Sequence, residues 1–327
     1  MAAALDRSAD KYGRKSGRSL AVAFAVMVAL FAIGPFVAYP IFLMKALCFA
    51  LFACAFNLLI GYVGLASFGH ALFFGWASYV TAYAAKTWGF SPELAIIAGV
   101  AAAAVLGLVV GSLAIRRQGI YFAMITLALS QMMYFFALQA KFTGGEDGIQ
   151  GVPRGRLFGV FDLSDEMTMY VFVVVVVLAG FLLIYRIINS PFGEVLKAIR
   201  ENEQRAISLG YAIDRYKLVA FVLSATLSGL AGSLKALVFQ LASLTDVHWT
   251  MSGDVLLMTL LGGLGTVFGP VVGAFLVVAM QNYLAPFGQW VLVIQGAVFV
   301  VCVPAFRRGI VGEIARLLQP PARPPFR

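Results

Sequence analysis

Long apolar runs alternate with short polar segments along most of the chain. Each run is close to the roughly 20 residues that an α-helix needs to cross a bilayer, so the pattern predicts membrane-spanning helices. One run is too short to cross alone and is flanked by glycines. The pattern therefore predicts an all-α integral membrane protein with about ten transmembrane helices, some of them short or broken by glycine. The predicted spans are residues 20–38, 41–61, 64–86, 94–115, 119–140, 168–188, 216–238, 254–265, 268–284 and 289–306.

The polar-rich stretch SPFGEVLKAIRENEQRAISLGYAIDRYK, residues 190–217, interrupts this apolar pattern. Ser190 is suited to cap a helix that starts with Pro191. Asn202 is suited to cap a second short helix, and Gly210 to end it in the left-handed conformation. Apolar residues lie between charges on both helices. This favours a docking surface for another protein, but a helix lying on lipid headgroups has the same composition.

Composition agrees with a membrane protein. Hydrophobic residues make up 61% of the 327 residues and charged residues 12%, whereas soluble proteins carry about 45–50% and about 25%. The net charge of +9 comes from basic residues between the apolar runs, which is the pattern of cytoplasmic loops rather than of nucleic-acid binding. Three cysteines, Cys48, Cys54 and Cys302, lie within apolar runs, which argues against structural disulfides and metal ligation.

The basic residues also set the orientation. The tail 1–19 is basic, and the apolar run after it is longer than a signal-peptide core and lacks a clear cleavage site, so we predict an uncleaved first span. Ten spans then place both tails, 1–19 and 307–327, in the cytoplasm on either side of a transmembrane domain at 20–306. The charged loop, about 189–215, is also cytoplasmic. Asp147 and Asp246 are expected outside, accessible to labelling.

Four groups of motifs resemble one known family. The stretch AIRENEQRAISLG, residues 198–210, is accompanied by NLLIGYVGLASFGHALFFGWASY from Asn57 and by SGDVLLMTLLGGLGTVFGP from Ser252. RQGIYFAMITLALS from Arg117 and TGGEDGI from Thr143 lie between them. Together these motifs resemble the permease family of branched-chain amino acid ABC importers, and more narrowly its LivM-type subunit. The chain departs from the family pattern at Trp76, Ser78 and Lys235, which bears on substrate preference.

The resemblance implies that this chain is one subunit of a transport complex in a bacterial inner membrane. The partners would be a second permease of LivH type, two cytoplasmic ATPases that use ATP, and a periplasmic solute-binding protein. The substrate would be leucine, isoleucine, valine or a related small solute. The charged loop would contact an ATPase and couple it to transport. The residues assigned to this contact are Glu194, Ala198, Arg200, Glu201, Asn202, Ala206, Leu209 and Gly210.

Several polar or glycine positions within the spans are candidates for the translocation pathway. Ionisable residues in membranes often line a pathway, and glycine-broken helices in transporters often mark binding regions. Hydrogen bonding between helices and close helix packing explain the same residues equally well. The candidates are Asn57, Ser67, His70, Gln131, Gly262, Gly263 and Gly265.

Two rival functions make different demands on the sequence. A secondary transporter driven by protons or sodium usually needs carboxylates within its spans, and only Asp254 and Glu93 lie near apolar segments. A membrane-embedded enzyme needs a catalytic constellation, and we find no catalytic or metal-ligand arrangement. The phosphate-binding motif G-x-x-x-x-G-K-[ST] does not occur. We therefore expect no cofactor in this chain, and any ATP hydrolysis must come from partner subunits.

Overall fold

The structure is a computed structural model that describes residues 22, 24–36, 38–288, 290–305 and 309–318. The predicted tail 1–19 lies outside the described residues, as do residues 307–308 and 319–327 of the second tail. The helices are α1 Phe24–Phe36, α2 Pro40–Asn57, α3 His70–Lys86, α4 Pro92–Ala114, α5 Ile120–Gln139, α6 Glu166–Ile188, α7 Pro191–Glu201, α8 Glu203–Ser208, α9 Ile213–Phe239, α10 Trp249–Gly262, α11 Gly269–Tyr283, α12 Trp290–Ala305 and α13 Gly309–Leu318. The strands are β1 Ile149–Gln150, β2 Arg156–Leu157, β3 Phe161–Asp162 and β4 Leu241–Ala242.

The chain divides into two compact units. The first, Met1–Leu43, contains α1 and the first turn of α2, which begins at Pro40. Proline suits this position because the first N–H of a helix has no partner within the helix. The second unit, Met44–Arg327, contains everything that follows, including all the residues discussed below.

Apolar helices lie at all ten segments that the sequence predicts to span the membrane. Within the part of the chain that the structure describes, five helices are long and apolar enough to cross a bilayer: Pro40–Val63, Pro92–Ala114, Ile120–Gln139, Glu166–Ile188 and Ile213–Phe239. The others are shorter, and α10, with 14 residues, matches the expectation of a short eighth segment. The protein is therefore an α-helical integral membrane protein.

The core of the second unit is formed by α3, α4 and α9, which pack closely through small residues. A Cβ on Gly229 would collide with Ala103, and a Cβ on Gly99 would collide with Ser233, so neither position has room for a side chain. The hydroxyl of Thr81 donates to Ser233 at 2.8 Å across the same interface. Small residues allow helix axes to approach closely in a membrane, where dispersion replaces the hydrophobic effect as the main attraction.

The connection between α2 and α3 differs from the prediction. We predicted a span over 64–86, but α3 begins at His70. The last turn of α2 is a π-helix over Leu58–Val63, here called the π-turn, and Gly64 ends it with φ of 83°. Residues 64–69 are not helical. The apolar pattern continues through this break, which is why hydropathy alone extended the span.

The long loop between α5 and α6 is ordered by short strand pairs. β1 pairs antiparallel with β4, which follows α9, and β2 pairs with β3 in a hairpin. Asp165 then caps α6 by accepting the N–H of Thr168 at 2.9 Å, and this bond lowers the pKa of the Asp165 carboxyl. An acidic N-cap is favourable because it satisfies a free N–H at the positive end of the helix.

Candidate functional site

The charged loop folds into the two short helices that the sequence predicts. Ser190 accepts the N–H of Gly193 at 3.3 Å and caps α7, which begins with Pro191. The side chain of Asn202 accepts the N–H of Arg205 at 3.0 Å and caps α8. Gly210 follows with φ of 85°, the left-handed conformation expected of it. The four local predictions for this loop are confirmed.

A small apolar cluster holds α7 and α8 against the start of α9. Ile199, Ala206 and Ile213 are buried together, with Val195 and Tyr216 packed on them. The sequence hypothesis treated Ala206 as an exposed contact, and this is wrong, because Ala206 is only 2% exposed. The helical period places Ala206 on the inner side of α8, where it anchors the loop.

The other residues assigned to coupling lie at the outer face of the loop, except Arg200, whose side chain reaches back to Gly61. These residues are all exposed: Glu194, Ala198, Arg200, Glu201, Asn202, Leu209 and Gly210. Two apolar side chains stand among them, Ile207 at 53% exposure and Leu209 at 69%. Apolar side chains surrounded by charges on a compact helical pair form a surface that a protein partner can cover.

An ion pair ties the loop to the membrane domain on one side. Glu203 accepts a 2.7 Å bond from the ammonium of Lys217 in α9, which is almost fully buried. Gln118, in the connection between α4 and α5, donates to the same carboxylate oxygen at 2.7 Å. Sequence reasoning missed Glu203 and Lys217. Their signal was present, since the two residues have opposite charges within the polar-rich stretch 190–217.

Arg200 ties the loop to the membrane domain on the other side. Its guanidinium Nη1 donates a hydrogen bond to the carbonyl oxygen of Gly61 in the π-turn. The side chain passes Gly64, where a Cβ would lie 3.3 Å from Arg200 Cγ, and its Nη1 lies beside Gly265. Arg200 therefore reaches back toward the membrane helices rather than ending at the outer face.

Asn57, at the end of α2, holds the turn between α10 and α11. Its Oδ1 accepts the N–H of Gly265 at 3.0 Å, and its Nδ2 donates to the carbonyl of Thr266 at 2.9 Å. A Cβ on Gly61 would collide with this amide and lie 2.8 Å from Gly265 N. Two of the pathway candidates, Asn57 and Gly265, are thus brought together with Arg200 and the π-turn.

The remaining glycine candidates serve close packing. A Cβ on Gly262 would collide with the carbonyl of Gly269, so α10 and α11 meet there main chain to main chain. Gly263 ends α10 with φ of 124°, and Gly309 at the start of α13 packs on it. The sequence predicted that these glycines interrupt the short segment, whereas in the structure Gly262 and Gly263 end α10, and their contacts are with α11 and α13.

His70 and Ser67 also make internal bonds. The hydroxyl of Ser224 donates to the carbonyl of Ala55 at 2.6 Å, so its 2.9 Å bond with His70 Nε2 must be donated by the histidine. His70 is fully buried. Ser67 accepts the N–H of Gly69 at 3.3 Å. The His70 bond matches the alternative that hydrogen bonds hold the spans together, whereas the Ser67 bond is local to the segment between the π-turn and α3.

Gln131 lies apart from this group, on α5, where it is half-buried and makes no side-chain hydrogen bond with another described residue.

Other polar side chains join helices. Gln281 of α11 and Gln295 of α12 donate to the carboxylate of Asp254 at 3.4 and 3.3 Å. Lys235, a departure from the family pattern, forms a 2.5 Å ion pair with Asp246. Asp246 is 2% exposed, so our expectation that it would be accessible to labelling is wrong.

Comparison with known proteins now decides the family. Residues 38–303 match the model of the family described as branched-chain amino acid transport system / permease component. The chain belongs to this family. The matched segment includes α7, α8, the π-turn and the α10–α11 turn, so the loop and its two attachments lie within the family domain.

Relatives in this family give the extent of the similarity. The chain is 29% identical over 273 residues to the high-affinity branched-chain amino acid transport system permease protein LivM of Escherichia coli, covering 75% of this chain and 63% of that protein. It is 30% identical over 200 residues to a probable LivM protein of Methanocaldococcus jannaschii, covering 58% and 56%. It is 29% identical over 183 residues to the ribose import permease protein RbsC of Bacillus subtilis, covering 54% and 56%. No solved structure matches the chain.

Proposed function

We propose that this chain is the LivM-type permease subunit of an ABC importer and carries branched-chain amino acids or closely related solutes across a bacterial inner membrane. The observation that carries the proposal is the two-helix loop. It offers exposed Ile207 and Leu209 on one side and is bonded to α2 and α9 on the other. A loop built in this way can receive a force from a cytoplasmic partner and deliver it to the spans.

The proposed partners follow from the family and from what this chain lacks. Two cytoplasmic ATPases would dock on the loop and use ATP, since the sequence has no G-x-x-x-x-G-K-[ST] motif. A second permease of LivH type would complete the pathway. A 27% identity over 126 residues with a probable LivH protein of Methanocaldococcus jannaschii supports two related permeases. A periplasmic binding protein would deliver the solute, and both tails would lie in the cytoplasm.

The proposed substrate rests on the named relatives. The LivM proteins carry branched-chain amino acids by name, and two more distant relatives are named as ribose and fructose import permeases. The motifs of this chain follow the LivM type over the matched region, which supports amino acids over sugars.

Reconstitution into liposomes tests the proposal. The chain with its second permease, two ATPases and binding protein is expected to accumulate leucine, isoleucine or valine when ATP is present inside. The chain alone is expected to accumulate none of them under ATP, a proton gradient or a sodium gradient. Uptake by the chain alone under an ion gradient would support the secondary transporter instead, and ATP-driven uptake of ribose but not leucine would overturn the substrate.

A further inference from the structure

The two attachments of the loop end at different parts of the membrane domain, and the Arg200 attachment reaches the pathway candidates. We propose that Arg200 is a positioning residue for transport: it passes movement of the loop to the π-turn of α2 and, through Asn57, to the turn between α10 and α11. This inference rests on the proposed function as an ABC permease. The proposed route runs from Arg200 to Gly61, from Gly61 along the π-turn to Asn57, and from Asn57 to the α10–α11 turn.

The first contact uses a carbonyl that the helix leaves free. In a continuing α-helix, the N–H of Leu65 would donate to the oxygen of Gly61. Here the N–H groups of Gly64 and Leu65 both donate to the oxygen of Leu59. The Gly61 oxygen is therefore available to a side chain. The last carbonyls of any helix lack partners within the helix and carry a partial negative charge. A guanidinium is therefore a strong partner for Gly61, because the donor is charged and the acceptor lies at the negative helix end.

Two glycines, Gly64 and Gly265, make room for Arg200. A Cβ on Gly64 would press on the aliphatic part of the arginine, and a Cβ on Gly265 would lie 3.1 Å from Nη1. Gly61 itself carries the accepting carbonyl and has no side chain between the π-turn and Gly265. The exposed arginine thus lies against Gly64, and its guanidinium contacts both Gly61 of the π-turn and Gly265 of the α10–α11 turn.

The second half of the route is the amide of Asn57. It both donates to and accepts from main-chain atoms of the α10–α11 turn, which fixes the position of that turn against α2. Asn57 lies one helical turn before Gly61 and is 2% exposed, so water does not compete for its bonds. A shift of Gly61 must move Asn57 or break its bonds, and the α10–α11 turn moves with it.

The loop is also attached to α9, through the ion pair of Glu203 with Lys217. Glu203 and Lys217 hold α8 to α9 at 2.7 Å. The apolar cluster of Ile199, Ala206 and Ile213 also packs α7 and α8 on the start of α9. A partner that presses on the outer face of α7 and α8 therefore moves the loop together with the start of α9, and Arg200 passes this movement to Gly61. Movement of the ATPase would thus displace the end of α2, which carries Asn57, and the α10–α11 turn, which carries Gly265.

The test measures the coupling ratio, the leucine molecules accumulated per ATP hydrolysed, in liposomes that contain the full assembly. Arg200→Gln removes the charge, and Arg200→Lys keeps the charge but not the planar fork. Arg117→Gln is the matched control, because Arg117 is exposed in the predicted cytoplasmic connection between α4 and α5 and its side chain bonds no other described residue. Asn57→Ala breaks the second half of the route.

We expect Arg200→Gln to lower the coupling ratio several-fold, because it removes the charged donor of the Gly61 bond. Arg200→Lys should fall between the wild type and Arg200→Gln, and Arg117→Gln should match the wild type. The double variant Arg200→Gln with Asn57→Ala should be no worse than the worse single variant, because residues on one route are not additive. ATP hydrolysis should continue in all of them.

Each outcome is informative. Absence of ATP-driven uptake by the wild-type assembly contradicts the proposed function. If the wild type transports leucine and Arg200→Gln keeps its coupling ratio, the inference is overturned while the function stands. An equal fall of uptake and hydrolysis in both Arg200 variants, at normal abundance, shows that Arg200 serves ATPase docking and overturns the route. Additive losses in the double variant place Arg200 and Asn57 on separate routes, which also overturns it.

Discussion

At the scale of single residues, Ala206 and Leu209 lie close together in the loop but differ in burial. Ala206 is buried with Ile199 and Ile213, whereas Leu209 is 69% exposed. Ala206→Glu would bury a charge without a partner, which is among the most destabilising single changes. Leu209→Glu places the same charge in water and removes one apolar contact from the outer face.

We therefore expect Ala206→Glu to open the loop locally, with faster proteolytic cleavage between α7 and α9. Leu209→Glu should keep the protease resistance of the wild type but reduce the amount of ATPase that copurifies with the membrane assembly. The two measurements separate folding from docking. Normal ATPase copurification by Leu209→Glu would show that this face is not the docking surface.

Local residue roles could be predicted, and distant pairings could not. The caps at Ser190 and Asn202 and the left-handed Gly210 depend on bonds that span three or four residues, so the sequence shows them directly. Arg200 and Gly61 are 139 positions apart, and Asn57 and Gly265 are 208 apart. Nothing in the composition of either partner indicates these pairings. The burial of Ala206 also depends on where α9 begins, which hydropathy does not give.

At the scale of elements, hydropathy located the helices but not their breaks. Apolar helices lie at all ten predicted segments, because burial in lipid requires long apolar runs with satisfied main-chain groups. The boundary at His70 was missed because residues 64–69 are as apolar as a helix. The π-turn was missed for the same reason, since a change from four-residue to five-residue bonding leaves no trace in hydropathy.

The contact between α10 and α11 gives a prediction at this scale. A Cβ on Gly273 would collide with the main-chain oxygen of Met258 and lie 2.9 Å from Gly262 N, and main chain cannot move aside cheaply. Gly273→Ala should therefore destabilise the protein by about 1–3 kcal/mol, as overpacking of a tight contact does. Gly253, within α10, has no atom within 4 Å of its would-be Cβ, so Gly253→Ala is the matched control.

Thermal unfolding of the purified chain in detergent, together with its abundance in the membrane, checks this prediction. Gly273→Ala should lower both, and Gly253→Ala should leave them unchanged or slightly raised, because alanine favours a helix by about 1 kcal/mol over glycine. Equal stability of the two variants would mean that α10 and α11 separate easily and that their glycines are not needed for packing.

At the scale of the whole molecule, the distribution of charged residues along the chain predicts which segments face the cytoplasm. Basic residues cluster in the tails, in the α4–α5 connection and in the charged loop, whereas the loop between α5 and α6 has acidic residues alongside its basic ones. Cytoplasmic segments carry the excess of Lys and Arg. The sequence alone predicts this orientation, because charge bias acts at insertion and does not require the folded contacts.

Cysteine labelling from each side of the membrane tests the orientation and, with it, every role given to the loop. In a background without Cys48, Cys54 and Cys302, Asp147→Cys should react with an impermeant maleimide added to the periplasmic side. Leu209→Cys should react only after the cytoplasmic side is opened, since the proposed docking surface is predicted to face the cytoplasm. Thr245→Cys, exposed beside the buried Asp246, should react like Asp147→Cys, whereas a cysteine at 246 should stay unlabelled from both sides. Labelling of Leu209→Cys from the periplasm would contradict the orientation, because a loop on that side has no ATPase to receive and Arg200 no movement to transmit.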